Sequence, residues 1–172
     1  MNGFICKICG ACCKGEGSVF LYPDDVKRIA ENLSMTLQET INKYTEYVMM
    51  ETIEKSGSYS YLPFLILKKN KGACVFSNSN LCEIHKFKPF QCMHTPFVSE
   101  FFSDESWRKQ LMAECPALGK MKKEDFAVYA ATGEMSEKAE QDYYLLLKEN
   151  SFNLEKILSV KLGTPEILTY HD

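Results

Sequence analysis

The sequence predicts an α+β fold that is mostly α, with helices packed around a cysteine-rich core that carries a small β-hairpin. Apolar residues recur at helical spacing in several segments. One central stretch is rich in aromatic and β-branched residues and is flanked by turn residues. The 172 residues contain no internal repeat or low-complexity linker. We therefore expect one domain over residues 1–172, with a cysteine-bearing part over about 1–118 and a helical part over about 119–172.

Two helices are predicted between residues 22 and 50. The first begins at Pro23, because proline and the acidic Asp24 and Asp25 suit a first helical turn. The second begins after Thr36, which forms a capping box with Glu39. The apolar stripes are Val26, Ile29, Ala30 and Leu33 in the first helix, and Leu37, Ile41, Tyr44 and Val48, through to about Met50, in the second. A cofactor could line such stripes, but core packing is their usual role.

A strand and a hairpin are predicted in the middle of the chain. Residues 56–58 end the second helix, and Tyr59–Leu67 is rich in strand-forming residues. Pro63 places this strand at a sheet edge or breaks it. A turn at 70–72 lets 73–76 return antiparallel to the strand, and a second turn at 78–80 leads to Cys82. The far end of the hairpin therefore carries sulfur.

Beyond the hairpin the sequence predicts a shaped loop and then helices. Residues 82–96 contain two prolines and many candidate ligands, which indicates a loop with one helical turn. Four further segments have apolar stripes and end near Gly, Asn or Pro. They lie at about 104–114, 123–131, 136–150 and 153–162.

Composition argues against several classes of function. The net charge is −3 and the pI is about 5.7, whereas a nucleic-acid binder normally has a basic face, so we expect no nucleic-acid partner. No window approaches the roughly 20 apolar residues of a membrane span, so we expect no membrane contact. The amino terminus lacks a basic region followed by an apolar stretch, so we expect a cytoplasmic protein without a secretory signal.

Eight cysteines are unusual in a cytoplasmic chain, where disulfides are disfavoured and metal ligation or redox chemistry is the usual reason for such a number. They are Cys6, Cys9, Cys12, Cys13, Cys74, Cys82, Cys92 and Cys115. Four disulfides are the alternative for an exported chain. Against that alternative, the neighbouring Cys12 and Cys13 are awkward disulfide partners.

The CxxCxxCC spacing at residues 6–13 indicates a metal centre. A CxxC turn lets two thiolates converge on one ion. Three ligands two residues apart, with a fourth far along the chain, are typical of bacterial [4Fe-4S] clusters, whereas zinc sites commonly use two separate pairs. Adjacent side chains are expected to diverge, so Cys12 and Cys13 suit a second or multinuclear centre better than one ion. The spacing favours an iron–sulfur cluster, 4Fe-4S above all, and leaves zinc open.

The spacing does not partition the thiols, because eight suffice for two four-sulfur sites or one larger centre. In another interpretation only the first four bind metal and the later cysteines are buried apolar side chains. The loop context of Cys82 and Cys92, and the proline directly after Cys115, argue against it.

Other polar residues are given supporting roles. His85 and His94 could be ligands or proton carriers, but they and Lys88 are interpreted as residues that lie beside the ligands. Asp24, Asp25 and Glu83 are interpreted as helix-cap or surface carboxylates, since no general acid–base pair is recognisable.

The cysteine pattern resembles a known family. The matching residues are CxxCxxCC at 6–13, Cys74, the block Cys82-x-Ile84-His85-x-x-Lys88-Pro89-x-x-Cys92-x-x-x-Pro96, and Cys115-Pro116. They resemble the CxxCxxCC family of zinc- or iron-chelating domains, the YkgJ-like cysteine cluster proteins. The resemblance implies that all eight cysteines hold metal. Lys88 stands where the family often has arginine, and Met93 where a basic residue is common; a lysine lacks the guanidinium fork.

Three functions fit these residues. The first is an iron–sulfur protein with a redox or group-transfer role, which would bind a small-molecule substrate or a protein partner. The second is a structural zinc module for protein interaction. The third is a chelator or carrier of iron or zinc. Whether the protein is an enzyme is left open by the sequence.

Overall fold

A computed structural model describes residues 4–15, 17–53, 59–79 and 81–169. The α-helices are α1 (Pro23–Asn32), α2 (Leu37–Tyr44), α3 (Phe90–His94), α4 (Ser99–Ser103), α5 (Glu105–Glu114), α6 (Ala130–Glu149) and α7 (Leu154–Leu158). The strands are β1 (Phe20–Leu21), β2 (Thr45–Ile53), β3 (Tyr59–Leu67), β4 (Lys69–Asn70), β5 (Ala73–Cys74), β6 (Ser77–Asn78), β7 (Leu81–Cys82) and β8 (Glu166–Leu168). The 3₁₀ segments are Ala11–Cys13, His85–Phe87, Leu118–Lys120 and Lys123–Tyr129. The predicted α+β class, mostly α, is confirmed.

The main sheet has the strand order β1-β3-β2-β8. Strands β2 and β3 pair antiparallel along their whole length, with Val48 opposite Phe64. β1 pairs antiparallel with the end of β3, and β8 pairs parallel with the middle of β2. The break predicted at residues 56–58 lies outside the described residues, and β8 was not predicted.

The second predicted helix is too long. Its capping box is confirmed, since the Thr36 hydroxyl and the Glu39 carboxylate exchange hydrogen bonds with each other's backbone N–H. The helix ends at Tyr44, however, and Val48 and Met50 lie in β2 rather than on a helical stripe. Val48 is fully buried in the sheet. Pairing with β3 determines the conformation here, because a strand buries alternate residues whatever their helical spacing.

Strand β3 has the predicted bounds, and Pro63 does not break it. The two-residue β1 pairs only with Leu65 and Ile66, so at Pro63 the strand pairs with β2 alone. A proline without an N–H is tolerated at such an edge position. The carbonyl oxygen of Pro63 accepts a buried hydrogen bond of 2.6 Å from the Tyr143 hydroxyl, which ties α6 to the sheet.

The predicted hairpin partner is wrong. Residues 73–76 do not return against β3; instead β5 pairs with β4 in a tight hairpin, and β6 pairs with β7 in a second one. Gly72 has φ +79°, the left-handed conformation that such a turn needs. The loop with one helical turn predicted after Cys82 is confirmed by the 3₁₀ segment and α3.

The carboxy-terminal helices depart from prediction mainly at their boundaries. The helix predicted over 104–114 is confirmed, with Asp104 as the N-cap of α5. The two helices predicted over 123–131 and 136–150 meet, because Lys123–Tyr129 is a 3₁₀ segment that leads directly into α6. Gly133 lies in α6 where a Cβ atom would be 2.8 Å from the Phe102 ring, so the glycine permits close packing on α4. The last predicted helix is shorter, and α4 was not predicted.

Three apolar clusters pack around these elements. The first joins α1, α2, β3 and the two hairpins, and the second joins the sheet to α6. The third is built on Phe97, Phe101, Leu118 and Phe126, with Phe4 and Cys115 packed against it. Among the described residues no helix is both long and apolar enough to cross a membrane.

Candidate metal centre

All eight cysteines line one cavity of about 120 Å³. This volume exceeds the roughly 10–15 Å³ that one water molecule requires. The thiols come from two sides. Residues 4–15, called the arm here, carry Cys6, Cys9, Cys12 and Cys13. Residues 69–94, called the back wall, carry Cys74, Cys82 and Cys92. Cys115 follows α5 at a third point of the lining.

The arm turns sharply between its cysteines. Ile8 and Gly10 both have positive φ, at 51° and 76°, and a 3₁₀ turn follows at once. The turn is closed by a 3.1 Å hydrogen bond from the N–H of Cys13 to the carbonyl of Gly10. Glycine suits this point because it alone adopts positive φ without steric cost. The turn lets four thiols within eight residues line the same cavity.

The back wall presents two of its thiols in the same way. Cys74 ends one hairpin and Cys82 ends the next. The thiol of Cys74 is hydrogen-bonded by the N–H of Phe76, and the thiol of Cys82 by the N–H of Ile84. In both cases the donor lies two residues beyond the cysteine. Phe76 and Ile84 are each 2% exposed, so buried side chains fix both donors.

Cys92 is positioned by a polar network that reaches α3 from α1. The Asp25 carboxylate accepts hydrogen bonds from the N–H groups of Phe90 and Tyr22, at 2.8 and 3.1 Å, and from Arg28 at 2.5 Å. Arg28 also donates to the carbonyl oxygen of Lys88 at 3.0 Å. These bonds hold both ends of the segment that leads into α3. The start of α3 is thus fixed by the fold itself.

Asp25 is 1% exposed, so its interpretation as a cap is correct but its interpretation as a surface carboxylate is not. Burial raises the pKa of Asp25, against the opposing hydrogen bonds from Phe90 and Tyr22 and the charge of Arg28. Asp24, next to it, forms an exposed ion pair with Lys27. The spacing of Asp25 and Arg28 on one helix was the available signal for this network.

Five thiols interact electrostatically: Cys12, Cys13, Cys74, Cys82 and Cys92. A hydrogen bond from the Cys13 thiol and the charge of Lys88 lower the pKa of Cys12 to about 6, although partial shielding of this exposed side chain from solvent opposes them. The same bond raises the pKa of Cys13. The two side chains therefore meet, and the prediction that adjacent cysteines diverge is wrong for this pair. Burial, with the neighbouring thiols, raises the pKa of Cys92 to about 12.

The two histidines differ. His85 lines the cavity, and its Nε2 is buried without a hydrogen-bond partner among the described residues. Such an atom is normally paired in a finished site. His94 instead stacks on Phe90 at 3.9 Å, and its Nδ1 lies 2.9 Å from the carbonyl oxygen of Phe90. It is not among the residues that line the cavity, whereas Lys88 is.

The donor set suits a thiophilic metal. Thiolates prefer zinc, copper(I) and iron–sulfur clusters over hard ions such as magnesium. In the part of the chain that the structure describes, no three Cys, His, Asp or Glu side chains are already gathered as a metal site. Eight thiols nevertheless share one cavity, beside a buried nitrogen that lacks a partner. The chemistry of these donors fits a thiophilic metal centre.

A family model matches residues 5–132; its family is named CxxCxxCC and described as "putative zinc- or iron-chelating domain". The match covers well over half of the 172 residues. It includes all eight cysteines and every residue that lines the cavity except Phe4. No curated protein and no solved structure matches the chain.

Proposed function

This chain belongs to the CxxCxxCC family of zinc- or iron-chelating domains, and on that premise we propose that it holds an iron–sulfur centre with a redox role. The proposed ligands are Cys6, Cys9, Cys12, Cys13, Cys74, Cys82, Cys92 and Cys115, and a [4Fe-4S] cluster is the favoured form. The observation that carries the proposal is the convergence of all eight on one cavity.

The number of thiols supports iron and sulfur over one zinc ion. A structural zinc ion is saturated by four ligands. A [4Fe-4S] cluster likewise takes four cysteine thiolates, so the eight thiols on one lining suffice for two such clusters or for one larger multinuclear centre. The contact between the Cys12 and Cys13 thiols also suits a centre with several metal atoms, which can take ligands that lie side by side.

Residues around the cavity support a redox role. An iron–sulfur cluster exchanges single electrons at a potential set by its charge, its exposure and hydrogen bonds to sulfur. This chain supplies N–H donors from Phe76 and Ile84 and a cation from Lys88, all of which stabilise the more negative, reduced state. Cys6, Cys9 and Cys12 are exposed, so the arm would bring the centre within reach of a partner.

Elemental analysis of protein purified without oxygen tests the proposal. We expect brown protein in which iron and acid-labile sulfide are near equal. Replacing any of the eight cysteines by serine, for example Cys9→Ser, lowers the iron content. The exposed Met93→Leu, beside Cys92 but outside the cavity lining, is the matched control and keeps it. Colourless protein with stoichiometric zinc would contradict the iron–sulfur proposal.

His85 is proposed to donate a hydrogen bond to the centre rather than to ligate it. Its unpartnered Nε2 at the cavity supports this role. His85→Ala is expected to keep the metal content and to shift the reduction potential to more negative values, because one donor to sulfur is lost. Loss of one metal equivalent in this variant would instead make His85 a ligand.

A structural zinc module is the second candidate. It is favoured by the equivalent hairpins, which present Cys74 and Cys82 as a pair in the way that two-ligand arms of zinc sites do. A zinc module would contain about two zinc ions per chain, and removing them with a chelator would unfold the protein cooperatively. Rapid exchange of the metal with a competing ligand, without unfolding, would instead indicate a metal carrier.

A further inference from the structure

A second cavity, of about 560 Å³, lies on the other side of α3 from the cysteines. Its size falls within the range of about 300–1,000 Å³ that small-molecule sites occupy. At two places in the chain, adjacent residues line different cavities. Val19 and Cys92 line the cysteine cavity, whereas Phe20 and Gln91 line the second one. The second cavity is therefore a separate site with a wall in common.

Aromatic residues are the largest group in the lining of this second cavity. Phe20, Tyr22, Phe64, Phe90, Trp107 and Tyr143 are among them. Their positions are mutually fixed: Phe64 and Tyr143 lie 4.9 Å apart between ring centroids, and Tyr22 lies 5.4 Å from Tyr143. The Tyr143 hydroxyl is already bonded to Pro63. The lining thus combines these rings with a few polar side chains, among them Ser18, Gln91 and Ser136.

The charge in this cavity is entirely negative. Glu100 and Glu140 line it, and none of its described lining residues is lysine or arginine. Within the described ranges neither carboxylate forms an ion pair. Partial shielding from solvent and the charge of Glu100 raise the pKa of Glu140, which means that the two carboxylates repel each other. Burial is the main cause of a raised pKa at Tyr22, and the charges of Glu140, Asp25 and Glu100 raise this pKa further.

We propose that this aromatic cavity binds an organic cation with a quaternary ammonium group. Aromatic faces attract such a cation through their quadrupoles, and a quaternary nitrogen needs no hydrogen-bond acceptor. A primary ammonium or a guanidinium would find carboxylate acceptors only at Glu100 and Glu140, and would lose its hydrogen bonds to water among the rings. Glu100 and Glu140, both exposed, add attraction at the rim. The inference does not depend on which metal occupies the cysteine cavity.

Choline and its neutral carbon isostere, 3,3-dimethylbutan-1-ol, test this proposal on protein purified without oxygen. Trp107 is the single tryptophan of the chain and lines the cavity, so its emission reports occupancy while calorimetry gives the affinity. We expect saturable choline binding with a change in emission, and binding of the isostere that is at least about tenfold weaker. Equal binding of both, or no binding of choline in the millimolar range, would overturn the proposal.

Carboxylate variants test the role of charge. Glu100→Gln and Glu140→Gln are each expected to weaken choline binding about threefold, and together about tenfold, with isostere binding unchanged. Glu149→Gln, also exposed on α6 but outside the cavity lining, is the matched control and keeps wild-type affinity. All three positions are exposed, so folding is retained and is checked by thermal unfolding. Unchanged affinity in the double variant would overturn the assignment of these carboxylates.

Discussion

The arm and the back wall of the cysteine cavity present the same ligand type on very different supports. In the arm, Cys6, Cys9 and Cys12 are exposed, and Ile5 and Ile8 are 68% and 40% exposed. In the back wall, N–H groups held by buried side chains bond two of the thiols. The third, Cys92, follows the Asp25 network. The protein therefore builds the back wall with its own packing, while the arm beyond Phe4 buries little apolar surface.

This difference indicates which side of the cavity would be ordered by metal binding. A preformed wall gains little further order when metal binds, whereas an exposed arm depends on the metal for its conformation. The same ligand substitution can thus have different structural consequences on the two sides. The following experiments test this contrast.

Metal removal should have the largest effect, and mainly on the arm. After treatment with a chelator, tryptic cleavage at Lys7 and Lys14 is expected to accelerate at least about tenfold. Trypsin cleaves the arm only when it opens locally, and without bound metal this opening no longer costs the free energy of metal release. Cleavage at Lys86, exposed in the back wall, serves as the internal control and changes less. Mass spectrometry of the fragments measures both rates. Equal acceleration at all three lysines would show that the two sides do not differ in this way.

Asp25→Ala should destabilise the back wall by about 3 kcal/mol, because it leaves the N–H groups of Phe90 and Tyr22 unpaired and removes the carboxylate that pairs with Arg28. Urea unfolding gives the free energy of unfolding. The matched control is Asp24→Ala, since that carboxylate is 89% exposed and pairs only at the surface; its effect is expected to stay within about 0.5 kcal/mol. Similar losses in the two variants would contradict the role assigned to Asp25.

Gly10→Ala should affect the arm by about 1 kcal/mol, since an alanine at φ 76° is strained. We expect metal affinity to fall about fivefold, the equivalent of that energy. Gly15→Ala is the control: a Cβ atom there meets nothing within 4 Å. Competition with a chromogenic chelator measures both affinities, and a larger loss in Gly15→Ala would refute the explanation.

The smallest effect is expected far from both walls, at the N-cap of α5. Hydrogen bonds from the N–H of Trp107 and from Ser106 lower the pKa of Asp104, so its ionised form is favoured in the folded state. Its stabilisation is therefore present above the pKa of the unfolded chain and is lost as pH falls through the lowered value. Asp104→Ala should lower the melting temperature by about 3 °C at pH 7 and by less at pH 3. A difference that is independent of pH would rule out the charge as its cause.

The sequence predicted best those elements whose signals are local. Pro23 and Asp104 mark the starts of α1 and α5, and the composition of Tyr59–Leu67 marks β3. The error at Val48 has a physical cause, because that residue fits a helical stripe from α2 and equally an inward position in β2. Only pairing with β3 decides between them.

The sequence predicted the ligand chemistry of the candidate site better than it predicted the contacts that hold those ligands in place. Cysteine spacing indicated thiophilic metal ligands, and all eight cysteines line one cavity. The Asp25 network and the aromatic cavity join side chains from elements far apart in the chain. No local pattern specifies such contacts, since they depend on how the sheet, α3 and α6 pack.

The contacts of Phe4 imply an order of assembly. Its N–H donates to the Tyr129 hydroxyl, and its ring packs edge-on against Phe97, which in turn stacks on Tyr129 at 4.0 Å. The arm is therefore anchored on side chains that come more than 90 residues later in the chain. On a ribosome the four amino-terminal thiols emerge first but can take their places only after that aromatic anchor has formed. The lining of the cysteine cavity is therefore completed only after Tyr129 has been synthesised.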